Sequence, residues 1–135
     1  MNPGILLLSS LALLFQSLPV PSGPLRNTFV VATETVVDNA GTIDLRANET
    51  AYNGQLHQLK VSRDTLEALA EDTREKDIAD SANNLIFLVT ACRIQAKTGT
   101  PTEHCNTQLS NARTRIMSAI NRHKTGNAWV DGPPA

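Results

Sequence analysis

Asp77–Ile120 reads DIADSANNLIFLVTACRIQAKTGTPTEHCNTQLSNARTRIMSAI, and it decides the fold. Ile78, Ala82, Leu85, Ile86, Val89, Cys92 and Ala96 recur at i, i+3, i+4 spacing, which is the apolar face of a helix. Phe87 and Leu88 widen that arc, so this helix is expected to be the most buried. Lys97 in the last turn and Gly99 just beyond it are normal stop signals. A second helix follows at once. Thr100 is placed to cap it, Pro101 fits the first helical position, and Glu103 stands three residues after the cap. Its apolar face is Cys105, Leu109, Ala112, Ile116, Ala119 and Ile120. Arg122, His123 and Lys124 fall in its last turn, where the helix dipole favours positive charge.

Cys92 and Cys105 are the only cysteines of the chain. Each lies on the apolar face of its helix, one near an end and the other near a start. A short antiparallel connection brings those turns together, so a disulfide between them is expected. The alternative is a Cys105–His104 nucleophile pair. It is disfavoured because adjacent helical residues point about 100° apart.

Two more helical segments precede this pair. In Asn27–Ala40 (NTFVVATETVVDNA) Phe29, Val30, Val36 and Val37 share a face, with Gly41 as the expected stop. From Thr42 to Arg74, Leu45, Tyr52, Leu59 and Leu66 repeat every seven residues, with Leu56 and Leu69 beside them. Asn53-Gly54 is expected to kink or break this stretch, and a second break is conceivable at Ser62–Thr65. The run Glu71–Asp77 (EDTREKD) reads as the polar turn that ends it. Glu67, Glu71 and Glu75 at i, i+4 spacing read as a solvated charge stripe. The expected fold class is all-α, an up-and-down bundle of four helices, or five if the second segment splits, with one disulfide staple.

The ends of the chain are different in character. No charged side chain occurs before Arg26, and Ile5–Leu18 is almost wholly apolar. That run is too short to span a bilayer, which takes roughly 20 apolar residues. It suits the hydrophobic region of a secretory signal peptide, with residues 1–22 removed and cleavage near Pro21–Pro24. A secreted, extracellular protein is expected, or a periplasmic one from a bacterial source. The remaining 113 of 135 residues suffice for one domain, 23–124, and a modest core. No second run is long enough to be a transmembrane segment. Residues 125–135 (TGNAWVDGPPA) read as a Gly/Pro-containing tail without regular structure.

The net charge of −1 offers no field for nucleic acid. Its distribution is uneven. Gly23–Ala91 carries 11 acids and 6 bases, whereas Cys92–Ala135 carries 2 acids and 6 bases. Arg113, Arg115, Arg122 and Lys124, with Trp129 beyond them, are therefore candidates for a partner-binding patch. Asn48-Glu49-Thr50 is an N-glycosylation sequon, with Asn48 off the apolar stripe.

Catalytic signatures are missing from the sequence. There is no HExxH, CxxC, G-x-S-x-G, P-loop or dinucleotide fingerprint. His104 and His123 would stand about 28 Å apart along one helix at about 1.5 Å per residue, too far to share a metal. No cofactor, metal or enzymatic activity is expected, and a monomer is.

Ala51-Tyr52-Asn53-Gly54, preceded by a short helix and followed by Leu56, Leu59, Leu66 and Leu69, resembles an arrangement in small fungal secreted proteins. These form the hydrophobic-surface-binding and cell-wall galactomannoprotein family. The likeness covers about residues 30–75. It implies a helical bundle behind a signal peptide, and binding to hydrophobic surfaces or to lipids in the bundle interior.

Two functions compete. One is a secreted, non-catalytic helical protein that binds a hydrophobic small molecule, a hydrophobic surface or a host protein. An enclosed ligand would call for a cavity lined by Leu56, Leu59, Leu85, Val89, Leu109 and Ile116. The other is an extracellular or periplasmic inhibitor or immunity-type factor that works through a surface patch. A close-packed interior favours the use of a surface.

Overall fold

The structure, a computed structural model, describes residues 23–124. The expected signal peptide, residues 1–22, and the tail with Trp129 lie outside the described residues. Four helices follow one another: α1 (Asn27–Thr42), α2 (Glu49–Leu69), α3 (Thr73–Lys97) and α4 (Glu103–Lys124). The all-α bundle of four helices with a Cys92–Cys105 disulfide is as expected.

The tertiary bonds fix an up-and-down order. At one end the Leu25 N–H donates to the His123 carbonyl at 2.9 Å, and Arg26 reaches Glu75, so the starts of α1 and α3 meet the end of α4. At the other end Lys97 meets Glu49 and Cys92 meets Cys105. Every pair of helices is in contact except α2 and α4. The cross-section is therefore a rhomb, with α1 and α3 on its short diagonal.

The apolar stripes meet in one core. Phe29, Val36, Leu59, Leu66, Leu85, Val89 and Ile120 are among its fully buried members. Helix boundaries depart from the sequence expectation where a local signal was over-read. Asn53-Gly54 does not interrupt α2, which runs unbroken for 21 residues. A Cβ at Gly54 would meet nothing within 4 Å. This glycine costs helix propensity, about 1 kcal/mol, and the helix continues through it. No break occurs at Ser62–Thr65 either, since the Ser62 hydroxyl donates back to the Leu59 carbonyl within the helix. Gly41 is not the stop of α1. It lies within the helix, where a Cβ would collide with the guanidinium of Arg113, which crosses this point and donates from Nε to the Val37 carbonyl at 3.0 Å.

The run Glu71–Asp77 is a turn only at its start: Glu71 and Asp72 belong to the connection that follows α2, and Thr73 opens α3. Asp72 caps it by accepting from the Glu75 N–H at 2.9 Å. Glu75 belongs to this first turn and is 1% exposed, so it is no part of a solvated stripe. Its carboxylate takes a two-pronged bond from Arg26, at 3.1 and 2.9 Å, and a third bond from the Glu71 N–H at 2.9 Å. Arg26 also donates to the Leu69 carbonyl. A buried carboxylate is tolerable only when paired and hydrogen-bonded in this way.

The α3–α4 connection closes as a Schellman turn. The Thr100 N–H bonds the Gln95 carbonyl at 3.0 Å, and Gly99 takes the positive φ of 74°. α4 then begins later than Thr100 suggests. Its first bond runs from the Asn106 N–H to the Thr102 carbonyl, which places Thr102 at the cap.

Candidate functional site

The six residues expected to line an internal cavity are packing residues. Leu59, Leu85, Val89, Leu109 and Ile116 are buried in the shared core, and Leu56 packs against it. Of the six, Ile116 borders a surface pocket. That pocket is a groove of about 360 Å³ between α3 and α4, with Asp77, Ser81, Asn84 and Arg115 on its rim.

Arg113 stands apart from the other basic residues of α4. Arg113 and Arg115 are two positions apart, which is about 200° around a helix. Arg113 is folded over α1 onto the Val37 carbonyl. Arg115 faces the α3–α4 groove, and Arg122 is exposed seven residues on. The side chain of Lys124 and all of Trp129 lie outside the described residues. Asn48 is exposed, and its side-chain oxygen accepts from the Ala51 N–H at 2.9 Å to cap α2. That bond leaves the amide nitrogen of Asn48 clear of the cap.

His57 and His104 are exposed, and His123 is partly buried. Burial, with Arg74 and then Arg122 nearby, holds His123 below the ordinary imidazole range, and Asp72 opposes this. Among the described residues no three His, Cys, Asp or Glu side chains converge as a metal site would require. None of the described helices is long and apolar enough to cross a membrane.

The feature that sequence reasoning missed is on α3. Phe87 is 65% exposed and Ile94 is 63% exposed, with exposed Ala91 between them. The spacing i, i+4, i+7 puts all three on one stripe. Leu85, Ile86, Val89 and Cys92 have already filled the inner face, so Phe87, two positions from Leu85, must point outward. Arg93 is turned inward and buried. The outer face of α3 therefore carries no charge from beyond Asp80 as far as Lys97. The sequence did hold a signal. Phe87 widened the apolar arc of α3 beyond what one buried face needs, and the uncharged Ser81–Cys92 run surrounded it.

An exposed Phe and Ile forgo about 1.5–3 kcal/mol each of burial free energy. A second surface laid across the stripe would recover much of it. Val31 and Val61 are also exposed. They lie on α1 and α2, and Val61 borders a groove of about 260 Å³ lined mainly by hydroxyl and amide side chains.

No family model, curated protein or solved structure matches the chain. The resemblance to the fungal surface-binding proteins rests on residues 51–54 and the leucine series alone.

Proposed function

We propose that the chain is a small exported binding protein without catalytic activity, and that it engages a partner protein through the outer face of α3. The observation that carries this reading is the exposed stripe Phe87, Ala91 and Ile94 on a helix whose opposite face is fully packed. A filled interior favours the use of a surface over enclosure of a ligand. Large aromatic and aliphatic side chains standing out of an uncharged face are the kind of anchor that dominates protein interfaces. The disulfide agrees with an oxidising compartment, and the apolar, uncharged start of the sequence supplies the export signal.

Native mass spectrometry of the exported protein, before and after organic extraction, separates the two binding modes. The surface reading expects the bare, disulfide-bonded polypeptide with any glycan at Asn48, unchanged by extraction. A lipid-sized mass that extraction removes would instead show an enclosed ligand.

A further inference from the structure

At the end of the bundle opposite the Arg26–Glu75 clasp, three cations border one pocket. It has a volume of about 280 Å³ and is lined by Leu45, Arg46, Ala47, Arg93, Ala96 and Lys97. Two come from α3 and the third from the α1–α2 connection, so the fold and not local sequence assembles them. We infer that Arg46, Arg93 and Lys97 form a binding site for a tetrahedral oxyanion, the phosphate or sulfate of a free ion or of an ester.

Arg93 is the fixed element. It is 7% exposed. Its Nη1 donates to the Leu45 carbonyl at 2.9 Å and also to the Ala47 carbonyl. Its guanidinium carbon lies 4.4 Å from the centre of the Tyr52 ring. These contacts hold the planar group in one orientation before any ligand arrives, which reduces the ordering cost of binding. Among the described residues its Nη2 has only a distant partner, Glu49 Oε2 at 3.8 Å. Lys97 Nζ donates to the same Glu49 oxygen at 2.9 Å, which holds the Glu49 carboxyl below the usual carboxylate range. Arg46 makes no side-chain hydrogen bond or ion pair among the described residues.

The charge balance is therefore positive. Arg93 and Lys97 share one carboxylate, Glu49, and Arg46 pairs with none among the described residues. The other nearby acid, Asp44, is turned to the Arg46 N–H at 2.9 Å and does not line the pocket. Counting both acids still leaves one cation in surplus. A helix C-terminus accounts for Lys97, but not for a buried Arg93 and an unpaired Arg46 on the same wall. Arginine forks suit oxyanions with several acceptor oxygens. The pocket holds several times the roughly 30 Å³ share of a water molecule, room for a tetrahedral ion and the first atoms of an ester. Glu49 does not line the pocket, but its carboxylate pairs with Lys97 and lies near Arg93, so it competes with an incoming anion for those two cations.

The test is an NMR titration of the disulfide-bonded protein with sodium sulfate, sodium phosphate and glycerol 1-phosphate, at ionic strength held constant with sodium chloride. Saturable shifts are expected at the Arg46, Ala47 and Lys97 amides. Arg46→Gln should weaken binding at least fivefold without altering the melting temperature, because the Arg46 side chain holds nothing together. Glu49→Gln should tighten binding about threefold by removing the competing carboxylate. Tighter binding of glycerol 1-phosphate than of phosphate assigns the site to an ester, and equal binding assigns it to the free ion. Shifts that rise without saturating, or Arg46→Gln protein that binds as well as the parent, would overturn the site.

Discussion

Leu85 and Phe87 stand two residues apart on α3, one with 0% of its surface exposed and the other with 65%. About 200° of helix separates them. The same helix therefore supplies both the core and an uncharged apolar stripe of the outer surface.

This contrast sets the first prediction. Leu85→Ala should cost about 2–5 kcal/mol, as buried leucine truncations do. Phe87→Ser should stay within about 0.5 kcal/mol, the range for exposed positions without special contacts. Urea unfolding of the two variants measures this. A large loss in Phe87→Ser would mean that Phe87 is a packing residue and no docking anchor.

Glu75 makes the second case. It binds Arg26 across 49 positions of sequence and accepts from the Glu71 N–H. Glu75→Gln removes the charge and one acceptor while keeping the shape. Hydrogen bonds to charged groups contribute roughly 1.5–3 kcal/mol, so a loss of about 2 kcal/mol in unfolding free energy is expected from urea denaturation. Hydrogen exchange should rise first at Leu25, whose N–H is tied to the His123 carbonyl at the same end.

The disulfide gives a third. Cys92 and Cys105 are 13 residues apart with Cα atoms 5.6 Å apart. Closing a loop of that size stabilises by about 3 kcal/mol in the chain-entropy model. Reduction, or paired Cys92→Ser and Cys105→Ser, should lower stability by about that amount and leave the helical content intact. A reduced protein as stable as the oxidised one would show that the bond adds nothing to the packed α3–α4 pair.

Acid should destabilise the bundle through His123. Burial lowers its pKa first, Arg74 and Arg122 lower it further, and Asp72 opposes them. A histidine with a depressed folded pKa binds its proton more readily in the unfolded chain. Its stabilisation is fully present above the unfolded value of 6.5 and is lost as pH falls from there through the folded value. The carboxyls held low, Asp72 and Glu49, start from unfolded values of 3.8 and 4.5 and act further into acid. Unfolding midpoints should therefore decline from pH 7 to pH 5, and His123→Gln should flatten that decline. An unchanged slope in the variant would remove His123 as the cause.

Much of this fold was legible because it rests on local periodicity. The stripes Tyr52, Leu59, Leu66 and Cys105, Leu109, Ala112, Ile116 each mark a buried face, one on α2 and one on α4, although these two helices do not touch. What was not legible depends on partners far away in sequence. Glu75 sits in a run of charges that looks solvated, and its burial is set by Arg26. Gly41 looks like a helix stop, and its role is set by Arg113, 72 positions later. Arg113 is then unavailable to the basic patch that composition suggested. Phe87 was missed for another reason. Periodicity shows that a face is apolar, but not whether the bundle has a helix left to cover it.

The central claim is that a partner protein docks on Phe87, Ala91 and Ile94. The most direct test places a photo-crosslinking phenylalanine analogue at position 87, and as a control at exposed Gln58, and irradiates the exported protein in its native medium. The account predicts a single adduct of defined mass from position 87 and none from position 58. Excess parent protein should compete it away, and Phe87→Asp/Ile94→Asp protein should not. Equal adducts from both positions, or equal competition by the double variant, would contradict the claim.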